Sequence, residues 1–477
     1  MFELIDVEDL KTLSIIIDGE LIGENKPFTS LITDSRKARK NSVFLALQGE
    51  DFDGHNFCES AIHSGSIAYI SNNKINNHDG IVVQDTYIAL LRLAKYQQDK
   101  VKPKTLAITG SNGKTTVKEM VAFIFRDQQN IVTTNKNDNN QFGVPFTVLR
   151  LKNDTKYLVL ECGARKIGDF DLISEYLYFD VVTITNVNNS HIGIFKNQQN
   201  IIKTKIKLLD GLVNHGSVIN GAFENLDSPL QFMKNDQGYR VTTHTNSDSS
   251  EKPLKEEFLC KATSDHTPGC YRLLFEMIDG DSSKSIEMPG IGTFGAVHNC
   301  HNALIAAVAA TELGKRFSDS ITQICKYVSP LRDRFFIEKM GIHLLIDDTY
   351  NANPSSFSSA INDLSNNSSY PKNKLLVIGD MFELGEFSEE EHQRILKESL
   401  KVSGLKALFI KGNRFEKALF EYGNNDEEEK IFVIDPMEPF PIELISQFLD
   451  EETTILVKGS RGMKMEQIIS QLVEKFT

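Results

Sequence analysis

The chain has 477 residues, 40% hydrophobic and 25% charged, which allows about three domains and excludes fibrous and disordered classes. Its 65 acidic residues outnumber 52 basic ones, and the resulting net charge of -13 argues against a general nucleic-acid binder. Six scattered cysteines form no C-x-x-C pair, there is no apolar run of about 18 residues, and the opening MFELIDVEDL is acidic where a signal peptide is basic; a cytoplasmic protein without disulfides, cysteine-rich zinc or membrane insertion is expected.

Residues 1–99 read as a small first α/β unit of short apolar runs, SVFLAL at 42–47 and SIAYIS at 66–71 among them, followed by KVKPK as a linker. From residue 100 to 329 apolar strands alternate with helices: TLAI, YLVLE at 157–161 and DVVTIT at 180–185 predict a parallel sheet covered on both faces. The polar stretch between Thr243 and Glu257, with NSDSSEKP at its centre, reads as a surface loop. Residues 330–477 contain KLLVIGD, ALFI, IFVI and TILVKGS, each leading into a helical stretch, the pattern of a doubly wound Rossmann-like domain. Ser388 and Glu391 have capping-box spacing, and the acidic NDEEEK at 425–430 reads as a solvated turn.

One string carries chemistry. TGSNGKTT at 109–116 joins the TLAI strand to a helix whose apolar residues Val117, Met120, Val121, Ile124 and Phe125 follow helical spacing. A strand, a glycine turn and a helix start aim backbone N–H groups at an anion, and Gly110 and Gly113 let the backbone come close to it. Lys114 has the reach for β and γ phosphates, and the Thr115 hydroxyl is a Mg²⁺ ligand type. Thr109, Ser111, Asn112 and Thr116 complete the loop. Further metal ligands are expected at the ends of neighbouring strands, where Glu161 closes YLVLE and His191 follows DVVTIT.

The loop is one glycine shorter than the usual P-loop, and that short T-G-x-x-G-K-[ST] spacing resembles the Mur ligases, ATP-dependent amide-forming enzymes of bacterial peptidoglycan synthesis. TDSRK at 33–37 with FLALQGEDFDGHNF at 44–57 is similar to their UDP-sugar-binding domain. NDNNQFGVP at 137–145, LECGA at 160–164, TNVNNSH at 185–191 and HNCHN at 298–302 match segments of their central domain. DDTYNANP at 347–354, GDMFELGE at 379–386 and KGSRGMKME at 458–466 match their third domain, and the D-N-P-R string of sister ligases that add an acidic or diamino residue is absent.

The resemblance implies three domains: 1–99 for the UDP-sugar, 100–329 for ATP, and 330–477 for the dipeptide and closure. It implies a bacterial, monomeric ligase that joins D-alanyl-D-alanine to UDP-N-acetylmuramoyl-tripeptide through an acyl phosphate. By the same resemblance Ser35 and Arg36 lie near the uridine diphosphate, and Asn137, Asn139 and Asn140 near the tripeptide. His298, Asn299 and Asn302 meet adenine, and Arg334 meets the phosphates although Asp333 replaces the usual glycine. Asp348, Tyr350, Asn351 and Asn353 are the third domain's contribution. Two Mg²⁺ are implied, with Thr115, Glu161, His191 and a CO₂-modified lysine as ligands. That lysine aligns with Lys205, with Lys203 as the alternative; Lys207 stands where a Glu is usual, a cation that would favour a neutral amine nearby. The distorted NGAFENLD at 220–227 takes the place of an N-x-D segment. Rival readings are a folylpolyglutamate-type or other Mur ligase, and a P-loop small-molecule kinase or NTPase.

Overall fold

The computed structural model describes residues 1–476 apart from 128–129, 136–137, 222–238, 246–254, 265–267, 269, 280–287, 294 and 424–429. Asn137, the NSDSSEKP loop, and nearly all of NGAFENLD and NDEEEK fall outside the described residues. Among the described residues no helix is long and apolar enough to cross a membrane. Among the described cysteines, Cys58, Cys162 and Cys325 are free thiols.

Three sheets organise the chain. The first has the order Glu20–Ile22, Gly80–Val82, Ser66–Ser71, Ser42–Leu45, Ser30–Ile32, parallel except at its first pair. Leu31, Val43, Leu45, Ala68 and Ile70 bury one face against the helices Leu10–Ile17 and Thr86–Val101. Asp85 starts the second of these helices by accepting the N–H groups of Tyr87 and Ile88. The expected KVKPK linker is nearly absent. That helix continues to Val101, Lys102 ends it in the left-handed region (φ 50°), and the next strand begins at Lys104.

The second sheet has a parallel half in the order Ile131–Thr133, Tyr157–Glu161, Lys104–Thr109, Phe179–Ile184, Leu212–Asn220. Alternation along Leu106, Ala107, Ile108 explains its two covered faces. Leu106 and Ile108 pack with Val117, Met120, Val121 and Ile124 of the helix Lys114–Ile124 and with the alanine-rich helix Val297–Glu312. Ala107 faces Leu158, Leu160 and Val182 with Val144 and Val148 on the other side. The sheet then continues into four antiparallel strands, Tyr239–Thr245, Lys255–Ser264, Cys270–Asp279 and Met288–Thr293. This antiparallel extension adds to the expected parallel sheet, and its strands Tyr239–Thr245 and Lys255–Ser264 pair through Thr243 and Glu256.

The third sheet has the order Phe336–Met340, His343–Asp348, Thr453–Lys458, Asn373–Gly379, Leu405–Lys411, Ile431–Ile434 and is parallel after its first pair. The Ser388–Glu391 capping box does not form. The helix Ser388–Leu400 follows a 3-10 turn, its N-cap residue is Phe387, and Glu391 pairs with Arg394 at 2.8 Å. A capping box forms instead at Asn353 and Ser356, with Pro354 opening the helix Pro354–Asn366.

Asp347, 8% exposed, lies on the His343–Asp348 strand and accepts the Thr349 N–H and hydroxyl. Burial pushes its carboxyl up to about 6, and Asp333 and Asp348 add to the rise. A folded-state value above the unfolded one means that stability falls as pH rises between about 4 and 6. Asp347→Asn should therefore gain about 3 kcal/mol over the wild type at pH 7, at about 1.4 kcal/mol per tenfold change in proton affinity, and nothing at pH 3.5. Urea unfolding at the two pH values checks this; an equal difference at both would refute it.

Candidate active site

The Lys104–Thr109 strand delivers Gly110 with φ +147°, where a Cβ would lie 1.9 Å from Thr185 Oγ1, and Gly113 with φ +82°, where a Cβ would lie 2.5 Å from Asn302 Oδ1. Both positions therefore require glycine. The loop between them is braced from the next strand. Ser111 N–H donates to Asn186 O at 3.0 Å, Asn112 N–H to Asn186 Oδ1 at 2.8 Å, the Thr185 hydroxyl to Asn112 O at 2.6 Å, and the Ser111 hydroxyl to Asn188 O at 2.9 Å. TNVNNSH thus builds the loop's seat besides carrying His191, a role that periodicity does not reveal.

Lys114 opens the helix and bends back, donating to Gly110 O at 2.7 Å and Ser111 O at 3.3 Å. Burial lowers its pKa; Glu161 opposes that shift and the Arg334 charge adds to it. Thr115 donates to Glu161 Oε1 at 2.9 Å, and Asn139 donates to the same oxygen at 2.7 Å. Glu161 is 1% exposed, and its Oε2 is buried without a hydrogen-bond partner. A buried carboxylate oxygen left bare is costly, and a hard divalent cation beside the Thr115 hydroxyl satisfies it. Thr134 holds the strand end through the Glu161 N–H at 2.9 Å and itself receives the buried Lys118 amine at 2.8 Å. Among the described residues no group of three or more His, Cys, Asp or Glu side chains could hold a metal ion. Mg²⁺ commonly needs only one or two carboxylates together with phosphate oxygens.

Lys205 is 3% exposed, and burial followed by the Lys114 charge drives its pKa well below that of a free lysine. The neutral amine that CO₂ requires is thus favoured, for a reason other than the expected one. Lys207 points away, exposed and paired with Asp210 at 2.5 Å, and its pKa is raised; the neighbouring cation is Lys114. Lys203 is exposed. His191, at φ 56°, precedes the turn Ile192–Phe195, and its Nδ1 meets the Glu383 carboxylate of GDMFELGE. That hydrogen bond lowers the pKa of Glu383 despite partial burial, and the charges of His191 and Arg165 lower it further.

The third domain also reaches the loop itself. Asn353 donates to Asn112 Oδ1 at 2.7 Å, and Asn112 donates to Ser355 Oγ at 2.9 Å. Arg334 stacks on the Tyr350 ring at 3.6 Å from its centroid. Asp348 pairs with the buried Lys458 at 2.6 Å, and Lys458 also donates to Asn351 O at 3.2 Å. Asn302 donates to Asn299 at 2.9 Å with its oxygen toward Gly113, and the His298 ring meets Phe335 edge-on at 5.7 Å. The HN pair does not cap its helix, whose N-cap is Ala296.

Two expected tripeptide contacts already have work within the chain. Asn139 supports Glu161, and the Asn140 carboxamide oxygen accepts the N–H groups of Phe142 and Gly143 at 3.1 and 2.9 Å at the start of the helix Gly143–Val148. Thr109 and Thr116 are buried, in the strand end and the first helical turn. Ser35 and Arg36 sit on a 3-10 turn capped by Asp34 at the end of the Ser30–Ile32 strand; the Arg36 side chain is 88% exposed and pairs with Asp34 at 2.9 Å. Sequence reasoning missed Glu383 as a site residue, although it lies in a string singled out for other reasons.

A glycine-turn phosphate loop, a bare carboxylate oxygen beside its hydroxyl and two flanking α/β domains define a nucleotide-dependent enzyme whose third domain touches the phosphate loop. Family models agree: "Mur ligase family, catalytic domain" matches residues 27–97, "Mur ligase middle domain" 108–310, and "Mur ligase, glutamate ligase domain" 334–461. The chain is 31% identical over 472 residues to the UDP-N-acetylmuramoyl-tripeptide–D-alanyl-D-alanine ligase of Haemophilus influenzae, covering 97% of this chain and 98% of that one. The same ligase of Buchnera aphidicola subsp. Acyrthosiphon pisum is 33% identical over 480 residues, with 98% of each chain covered. A crystal structure of MurF from Acinetobacter baumannii superposes with a TM-score of 0.81 at 27% identity, covering 98% of this chain and 100% of that one. The chain belongs to the Mur ligase family.

Gly113→Ala should strain the loop by about 1–3 kcal/mol. Nucleotide affinity is then expected to drop roughly 5- to 150-fold by titration calorimetry with the fold intact, and unchanged affinity would contradict the cradle assignment.

Proposed function

We infer that the chain is an ATP-dependent amide ligase that joins D-alanyl-D-alanine to UDP-N-acetylmuramoyl-tripeptide, giving the pentapeptide peptidoglycan precursor, ADP and phosphate. The observation that carries the reading is the meeting of DDTYNANP and GDMFELGE with the phosphate loop and His191, at Asn353–Asn112 and Glu383–His191. The full-length similarity to ligases of that name supports the choice of substrates. The enzyme works as a monomer in the bacterial cytoplasm, with domains at 1–99, 100–329 and 330–477.

The tripeptide carboxylate attacks the γ-phosphorus of ATP and ADP leaves; the dipeptide amine then attacks the acyl phosphate and expels phosphate. Two anions must first be brought together, so the work of the protein is positioning and charge neutralisation rather than nucleophilic catalysis. Lys114 exchanges its bonds to Gly110 O and Ser111 O for phosphate oxygens. Arg334, held flat on Tyr350, adds a second cation near them. Asn302 and Asn299, beside Gly113, and His298 lie along the adenine side, and Ser35 and Arg36 hold the uridine diphosphate. Thr115 and Glu161 would hold one Mg²⁺, and His191 with a carbamylated Lys205 a second; the ions would offset negative charge on the reacting phosphates. Asp348, Tyr350, Asn351 and Asn353, with the loop they cover, keep water from the acyl phosphate.

Lys114→Ala should lower joining by at least about a hundredfold, as removal of an electrostatic donor does, while circular dichroism stays unchanged. The test of the whole reading is a product assay with the UDP-tripeptide, D-alanyl-D-alanine and ATP, read by mass spectrometry. ADP should form in step with the joined pentapeptide and only when both other substrates are present. Steady ATP turnover without them would point to a kinase or NTPase.

A further inference from the structure

GDMFELGE is anchored inside the third domain at Asp380, Met381 and Leu384. Asp380 accepts the N–H groups of Arg414 and Phe415, both at 3.1 Å, and so caps the helix Asn413–Tyr422. Met381 is fully buried and donates its N–H to His392 Nε2 at 3.0 Å, and Leu384 is 1% exposed. Glu383, between them at φ 63°, instead extends its side chain to the central domain. There its backbone oxygen receives the Gly193 N–H at 3.2 Å, and Gly193 lies so near Gly385 that a Cβ on it would come within 2.5 Å of the Gly385 nitrogen. The loop is therefore held rigidly on its own domain and seated backbone to backbone on the turn that carries His191.

We propose that Glu383 is a positioning residue: docking of the third domain places its carboxylate on His191 Nδ1, which fixes the ring and leaves Nε2 as the nitrogen for a divalent cation. An ionised carboxylate can only accept, so the hydrogen sits on Nδ1 and the lone pair on Nε2. Carboxylate partners of metal-binding histidines set tautomer and orientation in this way. Because the carboxylate and the imidazole belong to different domains, the cation site is complete only in the docked arrangement. This rests on the reading of His191 as a metal ligand.

The test uses the full chain with a non-hydrolysable ATP analogue and Mn²⁺ as the probe, followed by electron paramagnetic resonance. Glu383→Ala should weaken Mn²⁺ binding roughly 10- to 100-fold and lower kcat, with KM for ATP held within about twofold. Glu383→Gln, whose carbonyl oxygen still accepts from Nδ1, should recover part of both, and it serves as the test variant if the alanine protein is unstable. A merely structural role would lower Tm without moving Mn²⁺ affinity, and that result overturns the proposal. Wild-type Mn²⁺ affinity in both Glu383 variants with loss in His191→Ala also overturns it, while leaving His191 as a ligand. Wild-type affinity in His191→Ala removes the parent reading and the proposal together.

Discussion

The structure turns on charge held away from water at the C-terminal edge of the central parallel sheet. Glu161 has one oxygen satisfied by Thr115 and Asn139 and the other bare; Lys205 is buried and pushed toward neutrality; Lys114 is folded against its own loop carbonyls. Buried charge is costly unless it is paired, so these groups are built for partners that arrive with the substrates. In the proposed reading, phosphate oxygens would complement Lys114 and a divalent cation would complement Glu161. The strand ends supply this position because every parallel strand of the sheet points its C-terminus to the same side.

The third domain responds to the same constraint. Asp348, Gly379, Lys411 and Lys458 all end parallel strands of its sheet, so its loops gather on the edge that faces the phosphate loop. Asn353 shows how economical the arrangement is. Its side-chain oxygen caps the helix Pro354–Asn366, and its amide nitrogen reaches Asn112 in the phosphate loop. One side chain thus starts a helix and joins two domains.

Much of this was legible in the sequence. The strands TLAI, YLVLE, DVVTIT, KLLVIGD and ALFI stand where their buried runs put them, because continuous apolar runs are what two-sided burial requires, and IFVI forms the half-exposed edge strand of its sheet. The phosphate loop and its helix were equally plain from local spacing. What escaped was set by contacts between distant residues. Nothing local says that Glu383 will find His191 across 192 positions, or that Asn139 will turn to Glu161. The Ser388 capping box failed because the chain enters that helix through a 3-10 turn that leaves Phe387 as the N-cap residue. Lys207 misled for a similar reason: its neighbour in space is Asp210, whereas Lys205 looks inward to Lys114. The antiparallel extension of the central sheet was hidden because its strands flank polar connections that read as loop.

Each of the two domain junctions mixes apolar and polar contacts. The first domain meets the central one through rings and through Gln98: Phe2 stacks on Phe146 at 5.3 Å, Phe142 contacts Tyr87 at 5.5 Å and Phe52 at 6.3 Å, and the Gln98 side-chain amide donates to Tyr178 O at 2.6 Å while its backbone carbonyl accepts the Tyr178 hydroxyl at 3.1 Å. The Lys166–Glu50 ion pair at this junction is exposed on both sides and adds little. Apolar ring contacts lose their favourable burial if separated, so this junction resists opening. The third domain meets the central one through a shared apolar core, in which Ile192 and Phe195 lie with Met381 and Leu384, and through polar groups, Asn353 and Ser355 on Asn112 and Glu383 on His191. Each such bond is exchanged for one with water at a net cost of only about 0.5–1.5 kcal/mol. Both junctions thus combine buried apolar contact with hydrogen bonds that water can replace.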